Sequence, residues 1–258
     1  MLPFIYLISA ILVSTLSVQG SEVHHIVGGT KAKRCEFPHI VFIYTAKNGH
    51  YFGCGGSLID NKHVLTAAHC MAGDVTKVDI LIGSLDKRTM PIWAPVARFI
   101  KNSKYAKLRS TVVNDIAVLT LAKPVRFTSC IKPIRMATPD EAFVGDCVIA
   151  GWGRTGFNLP TSQILLRANV PIMDHATCAN RLPIILKQHL CVGSGKILDT
   201  TTCKGDSGGP LMCKSAVDGS QVLAGIVSYG WKCNTGLAVF TKVSYYLDWV
   251  NSVRKLIP

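Results

Sequence analysis

The segment CKGDSGGP (203–210) sets a hydroxyl among glycines and beside a carboxylate. Glycines there permit backbone angles closed to other residues and let a substrate come close, so Ser207 is a candidate nucleophile. The N–H groups of Gly205 and Ser207 can then point into one hole and receive an oxyanion. Two further residues supply a base and a group to orient it. His69 follows LTAA and precedes Cys70, where a strand end and a crosslink would hold an imidazole in place. Asp115 opens the apolar run DIAVLTL (115–121). A carboxylate buried there needs a hydrogen-bonding partner, and an imidazole N–H would serve. One serine, one histidine and one aspartate mean little in 258 residues; their settings carry the reading.

The elements that must position them read as strands. Short apolar or alternating runs recur between Gly-, Pro- and Asn-containing breaks: 40–44, 77–83, 115–121, 147–151, 164–172, 221–230 and 237–243. That density argues for an all-β sandwich or barrel. Helical periodicity enters only at the C-terminus, where Tyr246, Val250, Val253 and Ile257 fall on one face. A mild break at 138–145 is where two similar β-halves would meet.

Composition sets the compartment. The chain is 48% hydrophobic and 17% charged, which excludes disorder and allows one substantial core or two small ones. Residues 1–20 are apolar and end in small residues, as a secretory signal does, although no Lys or Arg precedes Lys31. A signal anchor is the competing reading, since the run is barely long enough to span a bilayer. Ten cysteines, an even number at long spacings, fit disulfides in an oxidising compartment rather than a zinc site. The net charge of +13 favours polyanions such as sulfated glycans, or else is a soluble basic surface. No aromatic–basic nucleic-acid motif accompanies it.

Six motifs in order, IVGG (26–29), LTAAHC (65–70), NDIAVL (114–119), AGWG (150–153), CKGDSGGP (203–210) and VSYG (227–230), resemble those of the chymotrypsin-like, trypsin-fold serine peptidases. The likeness covers roughly 26–258. It implies two packed antiparallel six-stranded β-barrels, about 26–137 and 138–244, and a C-terminal helix over about 245–257. With the secretory signal read over 1–20, it also implies a short propeptide over 21–25. Ser207 becomes the nucleophile, His69 the general base and then acid, and Asp115 the group that orients the imidazole. The amides of Gly205 and Ser207 form the oxyanion hole. Ser228 hydrogen-bonds the aspartate, and Gly230 pairs with an extended substrate. The resemblance implies Cys54–Cys70, Cys147–Cys213, Cys178–Cys191 and Cys203–Cys233, leaving Cys35 and Cys130 to pair by elimination. An inactive homologue kept for binding is the alternative, and all three triad residues and Gly205 weigh against it.

The same resemblance bears on activation and specificity. Cleavage before Ile26 would free an ammonium for Asp206, a buried charge in need of its counterion. His25 stands where trypsin-activated members carry Arg or Lys, so activation by a trypsin-type enzyme is in doubt. Thr201 takes the place at the base of the specificity pocket and is not acidic; Gly230 leaves the entrance open and Ala238 adds one methyl below. These features point to cleavage after Phe, Tyr, Leu or Met, ahead of elastase-like and trypsin-like preferences. Asp199 is the residue able to overturn this by reaching inward. Lys204, at the rim, either favours acidic residues after the cleaved bond or is simply solvated. No metal or cofactor is implied. Expected partners are protein or peptide substrates, protein protease inhibitors and sulfated polyanions; the expected location is extracellular, without a membrane span after processing.

Overall fold

Along Ile40–Lys47, Val41, Ile43 and Thr45 are buried while Phe42 and Tyr44 are only half-buried. This is the period-two pattern of a strand with one face in a core. A computed structural model describes residues 29–156, 158–197, 199–230, 233 and 235–256. The expected signal and propeptide, Ile26 and Ile257 lie outside the described residues.

Six strands close a barrel. Ile40–Lys47 pairs with His50–Leu58, followed by His63–Thr66, Ala117–Leu121, Ile92–Lys101 and Val75–Ile82, which returns to the first. A nine-stranded curled sheet forms the other half. Its path runs Thr30–Lys31, Leu166–Val170, Phe143–Gly151, Pro210–Ser215, Gln221–Tyr229, Ala238–Lys242, His189–Val192 and Ile172–Met173. Arg135–Met136 lies off that path and pairs in parallel with Gln221–Tyr229. Barrel and curled sheet together give the expected all-β, two-barrel architecture. Every apolar run read from the sequence falls within or overlaps a strand. His50–Leu58, His63–Thr66 and Ile92–Lys101 were not among those runs, because glycines, histidines and an exposed tryptophan interrupt their alternation.

The halves are joined by specific contacts as well as by apolar packing. Trp152 buries its ring edge-on to Phe42, 5.9 Å between centroids, and its Nε1–H donates to the Leu85 carbonyl at 2.8 Å. His39, whose ring burial pushes its pKa down to about 3, sits against Met212 of the second sheet. After a 3-10 turn, Val243–Tyr246, the terminal helix Leu247–Leu256 lays Val250 and Val253 into the first barrel's core. Arg254 then reaches Asp60 at 2.7 Å. All ten cysteines are paired: Cys35–Cys130, Cys54–Cys70, Cys147–Cys213, Cys178–Cys191 and Cys203–Cys233. Among the described residues no helix is long and apolar enough to cross a membrane.

Candidate active site

His69 sits in a single 3-10 turn, Ala68–Met71, at the end of strand His63–Thr66. The Cys54–Cys70 disulfide ties that turn to the neighbouring strand. The two sulfurs lie close to the imidazole but are bonded to each other, so they carry no thiolate for a metal. Asp115 follows Asn114, whose φ of 53° is left-handed, and leads into Ala117–Leu121. Its carboxylate is 1% exposed and well supplied with donors. Oδ2 accepts from His69 Nδ1 at 2.8 Å and from Ser228 Oγ at 2.5 Å; Oδ1 accepts from the His69 amide at 2.9 Å. Burial raises the Asp115 pKa, but the His69 hydrogen bond and charge, Ser228 and the His69 amide outweigh it. The carboxyl is held below the usual range.

Ser207 stands in a tight loop. The Asp206 amide donates to the Cys203 carbonyl at 3.0 Å and the Gly209 amide to the Asp206 carbonyl at 2.9 Å. Gly205, with φ 101°, adopts an angle closed to other residues. Across the junction of the halves, the Gly55 amide donates to the Ser207 carbonyl at 2.7 Å. A Cβ on Gly55 would lie 2.7 Å from the Gly209 Cα, so only glycine lets the strand and the loop meet. Sequence reading missed Gly55, although GCGGS (53–57) marks a close approach for which no partner could be named. It also missed Thr241, whose Oγ1 donates to the Asp115 carbonyl at 2.8 Å, and Tyr246, whose hydroxyl reaches Asn114 Oδ1 at 2.9 Å.

His69 and Ser207 open into one cleft of about 490 Å³. Its lining includes Tyr105, Lys107, Val112, Arg154, Thr202, Lys204, Ser228, Gly230 and Leu237. Thr201 and Ala238, each 3% exposed, are not among the lining residues. Asp199 is also away from the cleft. It accepts from the Ser194 hydroxyl and from the Thr200 amide at 2.8 Å, and Ser194 above all holds its pKa down.

Asp206 is a second buried carboxylate. It is 2% exposed, and among the described residues it accepts only backbone N–H groups, from Gly153 at 2.8 Å and Cys203 at 3.0 Å. Burial outweighs both and pushes its pKa up to about 6. Among the described residues no cation pairs with it. Ile26, its expected partner, lies outside them.

The family model described as Trypsin matches residues 26–250. The chain belongs to the trypsin family. This trypsin-family serine protease is 36% identical to chymotrypsin-C of Rattus norvegicus, across 90% of this chain and 89% of that one. It is 34% identical to the proclotting enzyme of Tachypleus tridentatus, over 90% of this chain and 67% of the relative. With cathepsin G of Mus musculus it shares 31% identity, over 96% and 93%.

Proposed function

We propose that this trypsin-family protease is a secreted endopeptidase, made as a precursor, that cleaves after large apolar residues through an acyl-enzyme. One observation carries the reading. The His69 ring is fixed through Nδ1 by Asp115, so its other nitrogen is left for the cleft that it shares with Ser207. The Ser207 hydroxyl attacks the peptide carbonyl while His69 Nε2 takes its proton. Asp115 stabilises the imidazolium, and the Gly205 and Ser207 amides receive the developing oxyanion. Collapse expels the amine, which leaves with the proton from His69. Water then attacks the ester by the same route in reverse and frees Ser207.

The preference for apolar residues rests on the absence of an anchor for a cation. Thr201 is uncharged and buried, Asp199 is held by Ser194 and Thr200, and no carboxylate lines the described part of the cleft. At Gly230 an added Cβ would meet nothing nearer than 3.7 Å, which supports an open slot, and Ala238 Cβ, at 3.8 Å from that point, lies just beneath its lining. One methyl of floor height is worth about 1–3 kcal/mol, a preference among apolar residues rather than a bar. Kinship does not choose: chymotrypsin-C and the proclotting enzyme are almost equally similar.

Activation follows from Asp206. Its buried carboxylate, without a cation among the described residues, needs a counterion, and the ammonium freed by cleavage before Ile26 would supply it. The deciding experiment is a peptide-library cleavage profile of protein beginning at Ile26. Cleavage after Phe, Tyr, Leu or Met, lost in Ser207→Ala, is expected; cleavage after Lys or Arg would overturn the specificity.

A further inference from the structure

We propose that Trp93 is the centre of a second binding surface, remote from the cleft, that holds an acidic, extended segment of a partner protein through an apolar anchor residue. Trp93 is 55% exposed on strand Ile92–Lys101. Two depressions flank it and share no other residue. One, of about 380 Å³, is lined by Ile92, Pro95, Ala122, Pro124 and Val125 together with Lys123 and Arg126. The other, of about 280 Å³, lies among Tyr44, Tyr51, Lys77 and Asp79. Neither shares a residue with the cleft of His69 and Ser207. Tyr51 is 64% exposed, and Lys47 lies over the ring of the adjacent Phe52 at 4.7 Å. An exposed aromatic set flanked by cations is a mark of an interaction site rather than of a merely solvated face.

Charge selects the occupant. The lining cations are Lys77, Lys123 and Arg126, and the lone lining carboxylate, Asp79, is buried and bridged by Lys77 at 3.2 Å. Among the described residues Lys123 and Arg126 enter no ion pair. The surface therefore attracts carboxylates and repels basic partners. Backbone geometry selects the mode. Around Trp93 the strand pairs on one edge only, Ile92–Pro95 with Asp79–Ile82, and Ala117–Leu121 pairs with it only from Val96 onward. The open edge is three residues long, so the side chain anchored in a depression, rather than a strand ladder, supplies most of the hold. The aliphatic wall of the larger depression favours a peptide with an apolar side chain over a sulfated glycan, which would use the cations alone.

The test measures binding to Ser207→Ala protein, which cannot cut the probe. Labelled 12-residue peptides rich in Asp and Glu, with or without one Phe, Leu or Ile, are titrated by fluorescence anisotropy at two salt concentrations. Low-molecular-weight heparin is run as a competitor. The apolar-bearing acidic peptides are expected to bind about tenfold tighter than those lacking the anchor. Trp93→Ala should remove that advantage, and Lys123→Glu with Arg126→Glu should weaken binding about tenfold and flatten its salt dependence. Both changes, made with Ser207 intact, should leave cleavage of a short reporter and the melting temperature unchanged. No peptide binding, equal binding with and without the anchor, or heparin retention insensitive to Trp93→Ala together with that equality would overturn the proposal. Loss of reporter cleavage in the Trp93 variant would overturn its remoteness from the cleft.

Discussion

Asp115 and Asp206 are the same residue type at nearly the same burial, and their pKa values move in opposite directions. Asp115 has an imidazole, a hydroxyl and an amide, and stays ionised below the ordinary carboxylate range. Among the described residues Asp206 has two amides and no charged partner, and its pKa rises to about 6. Depth therefore does not decide ionisation here; the donor set does. Asp115 has its side-chain partners within the described residues, whereas Asp206 has no charged one among them. One carboxylate is stabilised by donors already in place, and the other is the one that the proposed activation would complete.

The largest effect expected from breaking this contrast comes from Asp115→Asn. The amide keeps the shape but removes the charge and presents a donor where His69 needs an acceptor, so the imidazole is turned to the wrong tautomer. The rate kcat should fall about ten-thousandfold, the loss known from the type enzyme of this family, with KM little changed. A loss under tenfold, measured on protein beginning at Ile26, would remove Asp115 from the mechanism.

Next is the pH dependence of Asp206. Its folded pKa of about 6 exceeds the ordinary 3.8, so between these values the folded precursor binds a proton that the unfolded chain has released. Stability of the precursor should therefore fall as pH rises from about 4 to about 6, by about 3 kcal/mol from this group. Protein beginning at Ile26 should lack that fall, because the new ammonium stabilises the carboxylate. Chemical denaturation of both forms at pH 4 and 7 measures the difference. Parallel curves would separate Asp206 from activation.

Ser228→Ala moves Asp115 one step toward the condition of Asp206. Removing a hydroxyl donor at 2.5 Å from a buried carboxylate is worth about 1.5–3 kcal/mol. With one donor fewer, the Asp115 carboxylate holds the imidazolium proton of His69 more tightly, so the acid limb of the rate profile should move to higher pH while kcat falls about tenfold or more. An unmoved acid limb would make Ser228 a packing residue only.

How far all this was legible depends on how local each cause is. Ser207, His69 and Asp115 could be read because each stands in a short segment whose composition already describes its setting. The strands with alternating Val, Ile and Leu were legible for the same reason. Thr30–Lys31 and Arg135–Met136 were not, since a two-residue strand has no period, and their pairing with Arg167–Leu166 and Val222–Leu223 is entirely tertiary. Gly55 gains its meaning from Gly209, over 150 positions away, and Asp199 from Ser194 through a loop conformation that spacing does not dictate. The raised pKa of Asp206 was foreshadowed by its need of a counterion; the two amides that partly replace one were not.

Thr241 offers the finest separation of the two kinds of support that Asp115 receives. Its hydroxyl donates to the Asp115 backbone carbonyl, not to the carboxylate, so it holds position without touching the titrating atoms. Thr241→Val keeps the shape and leaves that buried carbonyl without its donor, a cost of about 1–3 kcal/mol in stability. If the hydroxyl only positions, kcat should fall no more than a few-fold while the acid limb stays where it is, in contrast to Ser228→Ala. An acid limb that moves with Thr241 as far as with Ser228 would mean that the carboxylate responds to the backbone beneath it. The opposition between donor set and depth would then have to be redrawn around the whole Asn114–Ile116 turn.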